Sequence, residues 1–170
     1  MITDALLRLS GTSANPPVAG PVTALTVTTT STTVYYLDLQ QSTNVSGGTQ
    51  TVQNRDLGEG YPIQCVVSIA TAATAGTTVT FNVIVADDAV GTSNPVIIGT
   101  TGAIAIASLT AGAQFAIAIN PQYNTLGKRY LMGQYVTGAT TALVGATHFM
   151  DIVLDSADSK KFYAGGFVVS

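Results

Sequence analysis

The chain has 170 residues and a net charge of −3, and only 9% of its residues are charged, against roughly 25% in an ordinary soluble domain. One domain of this length buries a sufficient core without staples, and the lone Cys65 excludes both an intrachain disulfide framework and a cysteine-based zinc site. The basic residues Arg8, Arg55, Lys128, Arg129, Lys160 and Lys161 form no long run, which disfavours a nucleic-acid partner, and no apolar stretch reaches the roughly 18 residues a membrane-spanning helix needs.

The N-terminal stretch MITDALLRLSGTSANPP lacks a basic start followed by an unbroken apolar run, because Asp4 and Arg8 interrupt it. Synthesis and retention in a cytoplasm are expected. Ile2, Leu6, Leu7 and Leu9 fall on one side of a short helical turn, with Asp4 before and Gly11 after as boundary signals. Such a segment either packs on its own domain or acts as an arm with apolar anchors for a partner. Residues 11–21, GTSANPPVAGP, are a breaker cluster in which Pro16, Pro17 and Pro21 forbid regular helix. They read as a linker or extended strap, which divides the chain into an arm, 1–21, and a domain, 22–170.

From residue 22 onward the chain reads as strand. Period-two alternation of apolar and polar residues, or β-branched and aromatic enrichment, marks 22–30, 33–39, 61–70, 77–86, 95–100, 113–119, 129–137, 147–154 and 162–169. Ile63, Cys65, Val67 and Ile69 share one face, as do Val79, Phe81, Val83 and Val85, and also Phe115, Ile117 and Ile119. Tyr130, Met132 and Gln134 lie on one side of their strand, and His148, Met150, Ile152 and Leu154 on one side of theirs. The linker TAATAG at 71–76 predicts a hairpin between its neighbours, and the paired glycines 165–166 a bulge. The reading is an all-β antiparallel sandwich or barrel. No βαβ rhythm of a nucleotide-binding sheet is present.

Reactive residues are few. His148, the only histidine, shares a face with Met150 and Ile152 and reads as a hydrogen-bonded core residue rather than a catalytic base. Cys65 sits in an apolar run, as a small buried hydrophobe does. Asp87, Asp88, Asp151, Asp155 and Asp158 stand near strand ends, where carboxylates either hold calcium or cap turns through their own backbone. Turn roles are expected. The glycine-rich pieces 46–48 and 58–60 lack phosphate-loop spacing. No catalytic residue, cofactor site or metal site is assigned, and an enzyme is not expected. A surface of Thr, Ser, Ala and Gly can sit flat on another protein without burying unpaired charge, and low net charge favours association.

The stretch RDLGEGYP at 55–62, running into IQCVVSIA, is followed in order by TTVTFNVIVADDA, NPVIIGTTGAIAIASLTAGAQFAIAI, LGKRYLMGQYVTGATT and DIVLDSADSKKFYAGGF. This ordered set, from about residue 50 to the end, resembles the jelly-roll cement (decoration) proteins on the capsids of short-tailed bacteriophages; residues 1–50 match less clearly. The resemblance implies a jelly-roll β-sandwich, to which the breaker cluster at 11–21 adds an extended N-terminal arm. It implies a small homo-oligomer, a dimer ahead of a trimer, on the outer surface of an icosahedral virion. There it would bridge major capsid protein subunits and hold the expanded shell against internal pressure, with no nucleic-acid or membrane partner. On that reading Ile2, Leu6, Leu7 and Leu9 are candidate arm anchors, and the turn carrying Arg55, Asp56 and Glu59 is a candidate contact loop. A non-catalytic adhesive or carbohydrate-binding β-sandwich is the alternative, because fold does not fix function.

Overall fold

Residues 7–11, 20–21, 30–39, 63–120, 128–138 and 144–153 are described by a computed structural model of the chain. Within them the alternating segments are strands: β1 Arg8–Ser10, β2 Gly20–Pro21, β3 Thr30–Asp38, β4 Gln64–Thr71, β5 Thr78–Ala86, β6 Val96–Ala105, β7 Gln114–Ala118, β8 Tyr130–Thr137 and β9 Thr147–Val153. A 3₁₀ turn, Ile106–Ser108, links β6 to β7.

All pairings are antiparallel, and they are nested. β2 pairs with β9, β3 with β8, β4 with β7, and β5 with β6, as in one long hairpin. Rolling that hairpin up adds the contacts β4–β9 and β5–β8. The outcome is two sheets, β1-β9-β4-β7 with β2 also on β9, and β3-β8-β5-β6. A five-stranded and a four-stranded sheet in this nested order, β1 and β2 sharing one edge of β9, are a jelly roll.

The sheets bury their facing sides in one core. Cys65, Val67, Ile69, Ile117, Met150 and Ile152 come from one sheet, and Val79, Phe81, Val83, Val85 and Leu131 from the other. Each fully buried large apolar side chain contributes about 1.5–3 kcal/mol, so the inner faces dominate stability. A second cluster, Ile84, Ala86 and Met132 with Tyr130 against it, lies on the other face of the β5–β8 pair. There Asn82 Nδ2 donates to Gln134 Oε1 at 3.1 Å. Tyr130, Met132 and Gln134 do share a side, and it is this outer one.

Several expectations are corrected. Residues 71–76 do not form a hairpin, because both edges of β4 are already taken by β7 and β9, so the chain crosses to the other sheet. The apolar faces of β4 and β5 thereby meet within one core instead of lying side by side. Residues 8–10 are strand and not helix, and Gly20–Pro21 is a strand on β9 rather than part of a strap. Ser10 and Gly20 stand opposite Met150 and His148, so β1 and β2 are consecutive stretches of one sheet edge, interrupted by 11–19. The apolar piece 95–100 extends to Ala105. The expected strands 22–30, apart from Thr30, and 162–169 lie outside the described residues, as does Leu154.

Candidate functional site

The two groups with reactive potential are sealed in the core. His148 is fully buried, its ring edge-on to Phe81 at 5.1 Å and to Tyr135 at 5.2 Å. Nε2 lies 3.4 Å from Ser10 Oγ, and Nδ1 has no hydrogen-bond partner among the described residues. Burial pushes its pKa down to about 4, so the ring is neutral. Burial pushes the Cys65 thiol well above its ordinary value, and the nearby Asp151 carboxylate adds to this. Cys65 stands opposite Ile152 while Ile69 stands opposite His148, a separation of roughly 13 Å along the strands. No cysteine–histidine dyad forms. Among the described residues no group of three potential metal ligands gathers.

The N-terminal strand is locked to β9. Arg8 Nε donates to Asp151 Oδ1 at 2.8 Å, and the guanidinium lies 4.6 Å from the Phe149 ring centroid. Asp151 is therefore a buried mid-strand ion-pair partner, not a strand-end ligand. Leu9 is completely buried in the core, and Leu7 packs against it. Leu9 is thus occupied within its own subunit, in keeping with the self-packed alternative, and Leu7 is partly covered there. Ile2, Leu6, Arg55, Asp56 and Glu59 lie outside the described residues, as do Asp155 and Asp158.

Asp88 has the expected turn role, whereas the Asp87 carboxylate is held by side chains, one of them a cation. Asp88 Oδ1 accepts from the backbone N–H groups of Thr92 and Ser93 at 2.9 and 3.0 Å, and its Oδ2 accepts from the Thr92 hydroxyl at 2.7 Å. Asp87 accepts from Asn94 Nδ2 at 2.9 Å and from Lys128 Nζ at 2.9 and 3.0 Å. These bonds hold both carboxyls below the usual range, Asn94 weighing most at Asp87 and Ser93 at Asp88. Beside this loop Arg129 grips Asp38 through two bonds of 3.0 and 2.8 Å and lies over the Tyr130 ring at 4.9 Å. Tyr130 meets Tyr36 edge-to-face at 5.1 Å. The result is one continuous corner of paired charges and tyrosines.

The side of the sandwich formed by β6 and β7 is different. No charged residue and no histidine stands between Asp88 and Lys128. Thr100, Gly102, Ala103, Ala105, Thr110, Ala116 and Ala118 are exposed along it. Gly99 is required there, since a Cβ would meet Ala118 O and Ile117 Cγ2 at 2.7 Å. β6 slips register twice against β5. At the first slip Thr101 Oγ1 accepts the Phe81 N–H at 3.1 Å, and Gly102 takes φ +69°. These bulges blunt an uncharged edge that would otherwise invite strand pairing.

The Arg8–Asp151 lock joins residues 143 apart in sequence, and no local pattern announces it. The tyrosine corner had a partial signal, the run of alternating Tyr130, Met132 and Gln134, whose outward direction only the sheet pairing decides. A family model described as Bbp16 matches residues 21–150, which takes in β3 to β8 whole and β9 as far as Met150. No curated protein matches the chain.

Proposed function

The chain belongs to the Bbp16 family, a phage-associated family, and from that premise we propose that it is a capsid cement protein. It binds the outside of the icosahedral head as a homo-oligomer and bridges major capsid protein subunits, stabilising the expanded shell. It is made in the host cytoplasm and ends on the virion surface. The observation that carries this reading is a jelly roll whose β6–β7 side is uncharged from Asp88 to Lys128 and exposes small side chains. Such a surface packs on a shell lattice without desolvating unpaired charge, and many weak contacts repeated on one lattice gain strength through effective concentration. The role is mechanical rather than catalytic. Supporting this, His148 and Cys65 are buried where no substrate reaches them.

Co-sedimentation of the purified protein with empty capsids, before and after expansion, tests the proposal. Saturable binding to expanded shells alone is the expected result, and binding to neither form rejects it. The exposed Tyr35 and Tyr36 favour one second reading, a carbohydrate-binding module with tyrosine platforms. A glycan array without hits removes that reading.

A further inference from the structure

We infer that His148 is the acid-sensitive catch of the N-terminal edge: protonation of its imidazole loosens β1 from β9 while the rest of the sandwich stays folded. The catch is independent of what the chain binds.

The first ground is what surrounds the ring. His148 has no exposed surface, and five elements enclose it. β1 brings Ser10, β2 brings Gly20, β4 brings Ile69, β5 brings Phe81 and β8 brings Tyr135. Nε2 has Ser10 Oγ at 3.4 Å, and Nδ1 has no hydrogen-bond partner among the described residues. A neutral imidazole tolerates this, since one of its nitrogens bears no hydrogen. An imidazolium carries two N–H donors, and here one of them would be buried without an acceptor.

The second ground is charge. The titratable groups of the core around the ring are Tyr135 and Cys65, the latter about 13 Å away along the strands. Burial raises the pKa of both, so neither is an anion at acidic pH. The one carboxylate of β9, Asp151, alternates away from the inward Met150 and Ile152. It stands on the other face of the sheet, where Arg8 of β1 already holds it.

The third ground is the route to water. One edge of β9 is covered by β4, which carries β7 in turn, and its inner face by the other sheet. Among the described strands, its other edge is covered by β1 and β2, of three and two residues. Ser10, the polar contact of the ring, belongs to β1. Lifting β1 therefore brings water to a charged ring at the smallest loss of packing. The burial of Leu9 and the Arg8–Asp151 pair keep the edge shut at neutral pH. Once lifted, it leaves Leu9 and the edge amides of β9 open to other chains.

The direction follows from linkage. Buried, the ring takes up its proton at pH about 4, and solvated at about 6.5, so acid favours the lifted strand. The equilibrium constant for opening should rise about a hundredfold between pH about 7 and about 4.

Hydrogen exchange on the full chain, corrected for chemical exchange at each pH, tests the catch. The ring signal of His148, the one histidine of the chain, is followed by NMR over the same range. Protection of Arg8–Ser10 is expected to fall by that factor while β5 and β8 keep theirs. The fall should begin near pH 6.5 and level off where the ring signal titrates. His148→Gln, which takes up no proton in this range, is expected to show a flat profile at β1. An equal fall in His148→Gln gives the response to another group, such as Asp151, and overturns the inference. So does an unchanged parent, or a simultaneous loss of protection in every strand, which is global unfolding. Where the glutamine variant does not fold, the parent decides alone: a fall that runs on past the titration of the ring overturns the catch.

Discussion

Where β1 and β2 flank β9, the sandwich is closed by side chains: Leu9 plugs the core, Arg8 pairs with Asp151, and Ser10 meets His148. Where β6 and β7 run, it is closed by the backbone, through two register slips, a close approach at Gly99 and no charge at all. Both sides face the same hazard, an edge strand with unpaired amides. One removes the hazard by burying specific partners, and the other by bending the strand. The first solution concentrates energy in a few residues, whereas the second leaves the surface smooth enough to lie against something else.

The comparison can be broken most forcefully at Arg8. Arg8→Ala leaves the buried Asp151 carboxylate without this partner, and a loss of about 3 kcal/mol is expected in urea denaturation. A loss below about 1 kcal/mol would mean that Leu9 holds the edge alone. A similar magnitude, about 3 kcal/mol, rides on the protonation of His148. Its pKa is about 4 when folded and 6.5 as a model value. The unfolded chain therefore takes up the proton first as pH falls. Stability from this group is whole above pH about 6.5 and declines progressively toward pH about 4. His148→Gln should be less stable throughout yet lose that slope in thermal melts between the two values. An unchanged slope would place the titration elsewhere.

The opposite edge is expected to respond more weakly and through the backbone. Gly99→Ala pushes a methyl against Ala118 O and should cost about 1–3 kcal/mol by overpacking. Gly102→Ala meets no neighbour, and only the φ of +69° opposes it, so about 1 kcal/mol is expected. If chemical denaturation showed these two to be as damaging as Arg8→Ala, the contrast between the edges would fail.

The sequence was most legible where alternation is strong. The inner faces of β4, β5 and β9 were readable residue by residue, because one buried face per strand leaves a period of two. The turn chemistry of Asp88 was readable for a similar reason, since its bonds reach only Thr92 and Ser93. Illegible were the features that depend on which strand lies beside which. TAATAG looks the same whether it returns the chain along β4 or sends it across to β5. Leu9 looks like an anchor until β9 is placed next to it, because apolarity says that a side chain is buried but not by whom. Arg8 and Asp151 each resemble a solvated charge, and only pairing across the whole chain unites them.

The nested strand order also sets a schedule. β5 and β6 are neighbours in sequence and need only a short, aspartate-capped loop to meet. Each further pair, β4 with β7, β3 with β8 and β2 with β9, encloses the one before it. Topologies dominated by such distant contacts fold slowly, in roughly milliseconds to seconds. Of the described strands β1 is synthesised first, and its partner lies among the residues from Thr147 to Val153. It must wait for nearly all the described chain to be synthesised, so this edge is the last to close after birth and remains exposed to proteases and chaperones until then.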